Sequence, residues 1–235
     1  MTTLTTTTFD GAPVAQDFSW SYSRVKNFET CPRRYHEIDV LKRFREEPSQ
    51  ALDEGFKVHK ALAQRITGEI PALPVNMPYE KWVEYACTGN GTVEAEARLA
   101  ITKEFHPCGY FDKQKKVWLR TVADVIRIDS EFCHIIDWKT GKVKPDPEQL
   151  MLIGTCAMVH NPKIFNIKAE LVWLGHDTKT TLECTVDDIA KFWPEVMFEK
   201  IDRLRAAHST NDFPPKPSGL CKRWCPVTSC EFCGQ

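Results

Sequence analysis

Two aspartates and a lysine lie close together in the segment TVADVIRIDSEFCHIIDWKTG, which covers residues 121–141. Alternating and apolar residues predict two strands, 117–128 and 132–138, joined by a short turn at 129–131. In such a hairpin Asp124 and Asp137 can face one side, and Lys139 shares it because side chains alternate along a strand. Two carboxylates and an ammonium on one face favour a divalent cation such as Mg²⁺ or Mn²⁺, which can polarise water.

A hairpin with solvated charges explains the same three residues, and charge pattern alone favours that simpler interpretation. Two features favour a functional site. Asp124 lies between Ala123 and Val125 in an apolar strand, and Asp137 ends the apolar run FCHII. Acids at the ends of buried strands often have perturbed pKa values and a chemical role.

The surrounding pattern predicts a mixed α/β or α+β domain. Residues 51–66 have helical spacing, and the pattern predicts an apolar helix at 148–160 and a long amphipathic helix at 187–206. Further strands are predicted at 167–174 and 180–185, whereas residues 93–103 fit either a helix or a strand.

Bulk properties exclude several classes of protein. The 235 residues carry a formal net charge of -1, so any binding of polyanions depends on local basic clusters. No run of apolar residues is long enough for a membrane span, and the Thr-rich N-terminus does not resemble a secretory signal. We therefore expect no membrane partner and a cytoplasmic location, in the host cytoplasm if a phage encodes the protein. The ten cysteines then sit in a reducing compartment, where metal or thiol roles are more common than disulfides.

The order of these motifs resembles the PD-(D/E)XK nuclease superfamily, in particular its RecB-like branch. That branch has an Asp followed by a strand that ends in Asp-Tyr-Lys-Thr-Gly, and residues 137–141 read DWKTG, with Trp138 in the tyrosine position. His59 in GFKVHKAL matches the upstream helical His of the branch, and Gln149 in PEQLMLIG matches its Gln. The resemblance implies a restriction-endonuclease-like mixed central sheet flanked by helices.

The resemblance also assigns roles to residues. Metal ligands would be His59, Asp124, Asp137 and the backbone carbonyl of Ile136, with Mg²⁺ or Mn²⁺ as the cation. Lys139 would be the catalytic lysine, and Gln149 would position the lysine or the DNA. A Glu ahead of the first Asp is common in the branch; we choose Glu96 as this catalytic residue, with Glu94 as the alternative.

Cysteines lie near both ends of the sequence, in ETCPRRYH and CKRWCPVTSC. They resemble the iron–sulfur staple of AddB-type and CRISPR-associated RecB-like nucleases, which implies a 4Fe–4S cluster that joins the N- and C-terminal segments. Its ligands would be Cys31, Cys221, Cys225 and Cys230. A local zinc site that uses Cys233 in place of Cys31 is the alternative, although only Cys230 and Cys233 have the Cys-x₂-Cys spacing typical of zinc knuckles.

We predict three segments: a flexible arm at 1–18, a nuclease domain at 19–210 and a Cys-rich tail at 211–235. The expected function is a metal-dependent DNA exonuclease in recombination, repair or phage DNA metabolism. A nuclease-inactive DNA-binding or assembly subunit and a zinc-stapled nuclease are the alternatives. The expected partner is single-stranded DNA or DNA ends, bound largely without sequence preference. Candidate DNA contacts are Tyr22, Arg24, Arg33, Arg34, Tyr35, Arg120 and Lys142, and Lys144 and Trp20 are weaker candidates.

Overall fold

A computed structural model describes residues 18–46 and 49–235, so the predicted N-terminal arm lies outside the described residues except for Phe18. A six-stranded sheet with the order β2-β1-β3-β4-β5-β6 forms the centre. Its strands are β1 (Thr92–Ile101), β2 (Pro107–Cys108), β3 (Leu119–Asp129), β4 (Phe132–Lys139), β5 (Asn166–Trp173) and β6 (Thr178–Thr185). Strands β4 and β5 are parallel and the other neighbouring pairs are antiparallel, which confirms the predicted mixed sheet.

Helices cover both faces of the sheet. They are α1 (Tyr22–Thr30), α2 (Pro32–Tyr35), α3 (Gln50–Ile66), α4 (Glu80–Cys87), α5 (Pro147–His160), α6 (Val186–Phe192), α7 (Phe198–Thr210) and α8 (Leu220–Arg223). The long helix predicted at 187–206 is divided into α6 and α7 by a π-helical turn, Trp193–Met197. Pro194 lies in this turn and has no N–H for the helical ladder, which explains the break. In the described part of the chain, no helix is both long and apolar enough to cross a membrane.

Helix α5 connects the two parallel strands, because parallel neighbours need a crossover rather than a tight turn. Its residues 150–158 are all buried. Asp146 caps the helix by accepting a hydrogen bond from the Glu148 N–H, and Pro147 occupies the first helical position. This start places Gln149 in the first turn, beside the end of β4.

Strand β4 is buried on both faces, and its alternate side chains belong to two separate cores. Cys133 and Ile135 pack with α5, α6 and α7, whereas Ile136 and Trp138 pack with α3 and α4. Burial on both faces explains why the run FCHII is continuously apolar rather than alternating. The sandwiched strand carries Asp137 and Lys139 at its end.

Candidate metal and catalytic site

Asp124 stands where regular pairing between β3 and β4 ends, since the last paired residues are Val125 and Ile136. Its carboxylate replaces the missing strand contact: Oδ2 accepts a hydrogen bond from the Trp138 N–H at 2.7 Å. The other oxygen, Oδ1, lies 3.0 Å from Nδ1 of His59 on α3. Asp124 is only 9% exposed, so both contacts hold a nearly buried carboxylate in one orientation.

Neighbouring carboxylates govern the charge of His59. Burial alone would lower the pKa of His59, but the hydrogen bond and charge of Asp124 raise it, and Asp137 and Glu96 add to that effect. The net result is a raised pKa, which favours the protonated imidazole. A proton on His59 and a bound cation are thus two alternative ways to neutralise this group of acids.

Glu96 of β1 faces Asp124 of β3 through a local irregularity. Pairing is regular at Ala95–Val125 and at Ala97–Ala123 but absent between them. Glu96 has φ 54°, a left-handed conformation that non-glycine residues rarely adopt inside a strand. The distortion carries its carboxylate to within 4.8 Å of ligand atoms of His59 and Asp124. Glu94 is not in this group, and the choice of Glu96 as the catalytic glutamate stays a prediction.

Asp137, Lys139 and Gln149 form a second, adjoining group. The amide Nε2 of Gln149 donates to Asp137 Oδ1 at 2.7 Å, and the Lys139 ammonium donates to Gln149 Oε1 at 2.8 Å. The same ammonium lies 2.5 Å from Asp137 Oδ2. Burial raises the pKa of Asp137, and the Asp124 charge raises it further. Gln149 therefore holds the Lys139 ammonium beside the Asp137 carboxylate.

The donor set fits a hard divalent cation. His59, Glu96 and Asp124 offer carboxylate oxygens and an imidazole nitrogen, and Asp137 adds a buried oxygen, Oδ2, which lies beside the Lys139 ammonium. Burial, followed by the Asp124 charge, raises the pKa of Glu96, as expected for acids crowded together. Ile136 is buried beside these acids, and its carbonyl remains a predicted ligand.

Comparison with known proteins decides the family. A model of the PD-(D/E)XK nuclease superfamily matches residues 19–231. This protein belongs to the PD-(D/E)XK nuclease superfamily. Its members use divalent metals and act on nucleic acid, so the chain is a nuclease by family and the acids described above form a candidate metal site.

Solved structures resemble the nuclease in fold. A candidate exonuclease from Eubacterium rectale shares 12% sequence identity with it at a TM-score of 0.50, covering 86% of this chain and 85% of that chain. The protein SSO0001 shares 15% identity at a TM-score of 0.44, covering 94% of this chain and 90% of that chain. No curated protein matches the sequence. The likeness to the Eubacterium rectale protein concerns the fold alone.

The nuclease brings Cys31 together with the cysteines of its tail. One small cavity is lined by Cys31, Cys221, Cys225, Cys230 and Cys233. The Lys216 N–H donates to Cys31 Sγ and the Ser218 N–H donates to Cys221 Sγ, both at 3.4 Å, as suits sulfurs that act as acceptors. Cys233 instead donates from Sγ to the Cys225 carbonyl. Among the described residues, no three of these sulfurs lie within 4.8 Å of one another.

The predicted DNA contacts fall in different places. Tyr22 and Arg120 line a cleft of about 450 Å³ that also reaches Gln149. Tyr35 is 2% exposed and packs edge-on against Phe28, so its predicted role in DNA contact is wrong. Trp20 is likewise buried, at 1% exposure.

The remaining basic candidates for DNA contact differ in their exposure and in the protein groups that they already contact. Arg24 donates to the Ser19 carbonyl, and Arg34 pairs with Glu46. Arg33 lies beside the cysteine cavity rather than the catalytic cleft. Lys142 is exposed in the loop between β4 and α5, and its role in DNA contact stays a prediction.

A buried polar network on the α4 side of the sheet escaped the sequence analysis. Glu170 of β5 is fully buried and accepts hydrogen bonds from His134 at 2.8 Å, from the Tyr85 hydroxyl at 2.7 Å and from the Thr181 hydroxyl at 3.0 Å. The Lys179 ammonium lies 2.9 Å from it. An acid inside the apolar run AELVW is the signal that would have revealed it, as Asp124 in VADVI revealed the metal site.

Proposed function

We propose that this nuclease is a Mg²⁺- or Mn²⁺-dependent exonuclease that hydrolyses phosphodiester bonds of DNA. The observation that carries the proposal is the contact in which Gln149 joins Lys139 to buried Asp137, beside Asp124. A plain structural hairpin does not need a glutamine to orient a lysine over a buried acid. The exonuclease mode rests on the resemblance to RecB-like enzymes.

Four side chains would hold the cation: His59, Glu96, Asp124 and Asp137, with the Ile136 carbonyl as a fifth ligand. The cation, when bound, supplies the positive charge that polarises a phosphodiester and activates water. The Lys139 ammonium contacts Gln149 Oε1 and Asp137 Oδ2, and from this position it can orient the attacking water or stabilise the negative charge that develops on the phosphate. The hydrogen bond with Asp124 keeps His59 in place.

We further propose that Cys31, Cys221, Cys225 and Cys230 hold a 4Fe–4S cluster, with Cys233 as a free thiol. One cavity is lined by Cys31 together with the tail cysteines, and this supports a site that joins the two ends of the chain through four thiolates. Such an enzyme suits DNA recombination, repair or phage DNA metabolism.

Single-turnover cleavage of DNA labelled at either end, with Mn²⁺, tests the nuclease proposal. We expect Lys139→Ala to slow cleavage roughly 100- to 1,000-fold, as for loss of a group that stabilises charge in the transition state. The control Lys163→Ala removes an exposed lysine beyond the far end of α5 and should leave the rate unchanged. Release of nucleotides from one end, and no cutting of circular DNA, identify an exonuclease. The absence of cleavage by anaerobically prepared wild type would refute the proposal and favour an inactive DNA-binding subunit.

A further inference from the structure

Two clefts are each lined by residues of the candidate catalytic site. The first, of about 510 Å³, is lined by His59, Glu96 and Asp124 and also by Phe56 and Arg98. The second, of about 450 Å³, reaches Gln149 and is lined by Tyr110 and Arg120. Each cleft therefore combines candidate catalytic residues with an aromatic side chain and an arginine.

The loop between β2 and β3 carries Tyr110, which lines the second cleft, and Phe111, and both rings lie near Arg98 of the first cleft. The guanidinium of Arg98 lies 5.9 Å from the centre of the Tyr110 ring, and that of Arg120 lies 5.8 Å from the same ring. Arg98 also lies 5.8 Å from the centre of the Phe111 ring. We call Arg98, Tyr110, Phe111 and Arg120 the stacking surface.

Hydrogen bonds hold this loop in one shape. The Asp112 carboxylate accepts from the N–H groups of Gln114 and Lys115 at 2.8 and 2.9 Å, and Arg120 Nε donates to the Tyr110 carbonyl at 2.8 Å. A loop fixed in this way loses little conformational entropy when it binds a ligand. The aromatic rings are thus positioned before any substrate arrives.

Phe111 is 71% exposed although its side chain has no polar group, and Phe56 in the first cleft is equally exposed. Flat apolar rings can stack on nucleobases, and arginines beside them can contact the phosphate backbone. Bases in a duplex hide their faces in the helical stack, so only unpaired bases can lie on such rings. Phenylalanine cannot form base-specific hydrogen bonds, which accords with binding that ignores sequence.

We propose that the stacking surface binds unpaired bases next to the scissile phosphate and thereby selects single-stranded DNA as the substrate. The proposal rests on the proposed nuclease function, since it names the substrate of the same cleft. Arg98 and Arg120 would stack on the bases or contact the flanking phosphates, and the rings of Tyr110 and Phe111 would carry the bases.

Fluorescence anisotropy of the full chain, without added divalent cation, tests this proposal separately from catalysis. The ligands are labelled oligothymidine of about 12 nucleotides, an abasic strand of the same length and the corresponding duplex. We expect Phe111→Ala to weaken oligothymidine binding roughly 5- to 100-fold, the effect of losing one base–aromatic stack, and to leave abasic binding unchanged. Phe111→Trp should restore binding, since it keeps an aromatic face.

The matched control is Phe165→Ala, because Phe165 is another exposed phenylalanine, 53% exposed. It hydrogen-bonds through its N–H to Glu131, at the opposite end of β4 from Asp137. Unchanged oligothymidine binding in Phe111→Ala, an equal loss on the abasic strand, or tighter binding of duplex by wild type would each overturn the stacking surface. Cleavage with Mn²⁺ is measured on the same strands. If cleavage persists while the binding result is negative, only the stacking surface fails; if wild type binds as expected but does not cleave, only the nuclease proposal fails.

Discussion

Gln149 makes two hydrogen bonds of opposite kind, since its carbonyl accepts from Lys139 and its amide donates to Asp137. Only an amide of this length serves both neighbours at once. The contact couples the position of the lysine to the charge of the acid. A substitution that keeps the acceptor for Lys139 but removes the donor to Asp137 can therefore separate the positioning of the lysine from the charge of the acid.

We predict that Gln149→Glu lowers kcat/KM roughly 10- to 100-fold, as for loss of a residue that orients a metal ligand. The new carboxylate would keep the acceptor for Lys139 but place a negative charge beside Asp137. That charge raises the pKa of Asp137, which burial and Asp124 already raise, so the ionised form is lost at a higher pH. The acid limb of the pH–rate profile should move to higher pH, whereas Gln149→Ala should lose rate without that shift. An acid limb that moves equally in both variants would contradict the assignment.

Glu96 combines a proposed ligand role with an unfavourable backbone conformation, since an L-residue at φ 54° costs about 1–2 kcal/mol. We predict that Glu96→Gly and Glu96→Ala weaken Mn²⁺ binding and cleavage equally, because both remove the carboxylate. Their stabilities should differ: glycine adopts this conformation freely, so Glu96→Gly should be about 1 kcal/mol more stable than Glu96→Ala in urea unfolding.

The control for this pair is Glu94→Ala, two residues earlier on β1 and exposed. It should retain metal affinity and activity. Loss of activity in Glu94→Ala with little effect of Glu96→Ala would reverse the choice between the two glutamates.

At the level of elements, Glu170 joins four parts of the fold. His134 reaches it from β4, Tyr85 from α4, and Thr181 and Lys179 from β6. Burial alone would raise the pKa of Glu170, but hydrogen bonds from His134, Lys179 and Tyr85 outweigh it and hold the pKa well below its ordinary value. The network fixes α4 on the sheet, across from the helix that carries Gln149.

We predict that Glu170→Gln lowers the free energy of unfolding by about 2–4 kcal/mol at neutral pH, because the surrounding donors lose their ionised partner. A carboxylate with a depressed folded pKa stabilises the fold above its unfolded pKa, about 4.3 for glutamate, and loses that contribution as the pH falls below it. The difference between wild type and variant should therefore narrow below about pH 4.3 in urea unfolding. Glu183→Gln removes an exposed carboxylate of β6 that does not bond Glu170; it is the control and should behave as wild type. A difference independent of pH would contradict an ionised Glu170.

The sequence predicts the strands far better than the contacts between them. Strand β4 is predicted at 132–138 and covers Phe132–Lys139, because a strand buried on both faces has a mainly apolar sequence. The left-handed Glu96 and the partners of Glu170 depend on packing between distant segments, which local periodicity does not encode. For the site, the hairpin predicts Asp124, Asp137 and Lys139, whereas His59 and Gln149 came from the family resemblance. The sequence does not predict the stacking surface, because its four residues form a common surface only in the folded structure.

For the molecule as a whole, the first and last described segments meet. The Arg33 N–H donates to the Pro214 carbonyl, and the Lys216 ammonium donates to the Glu29 carbonyl, so the tail runs along α1 and α2. The tail itself contributes few buried side chains, with Phe213 and Val227 the most enclosed. A cluster held by Cys31 and the tail cysteines would close a loop of nearly the whole described chain, and such a long closure favours the folded state.

We predict that Cys31→Ser loses iron and acid-labile sulfide and bleaches the visible absorption of the anaerobic protein. Loss of the Cys31 ligand would release the C-terminal tail. Limited proteolysis should then remove residues after about 210 before it cuts the sheet. Thermal unfolding should occur at a lower temperature, since the closed loop no longer restricts the unfolded chain.

Cys233→Ser is the matched control for this prediction, because the Cys233 thiol donates to the Cys225 carbonyl instead of acting as an acceptor. It should keep iron, colour and protease resistance. A local zinc site gives the reverse result: Cys31→Ser would be silent, Cys233→Ser would lose the metal, and the wild type would be colourless with bound zinc. The two substitutions thus separate a staple between the chain ends from a metal site within the tail, because only the first arrangement requires Cys31.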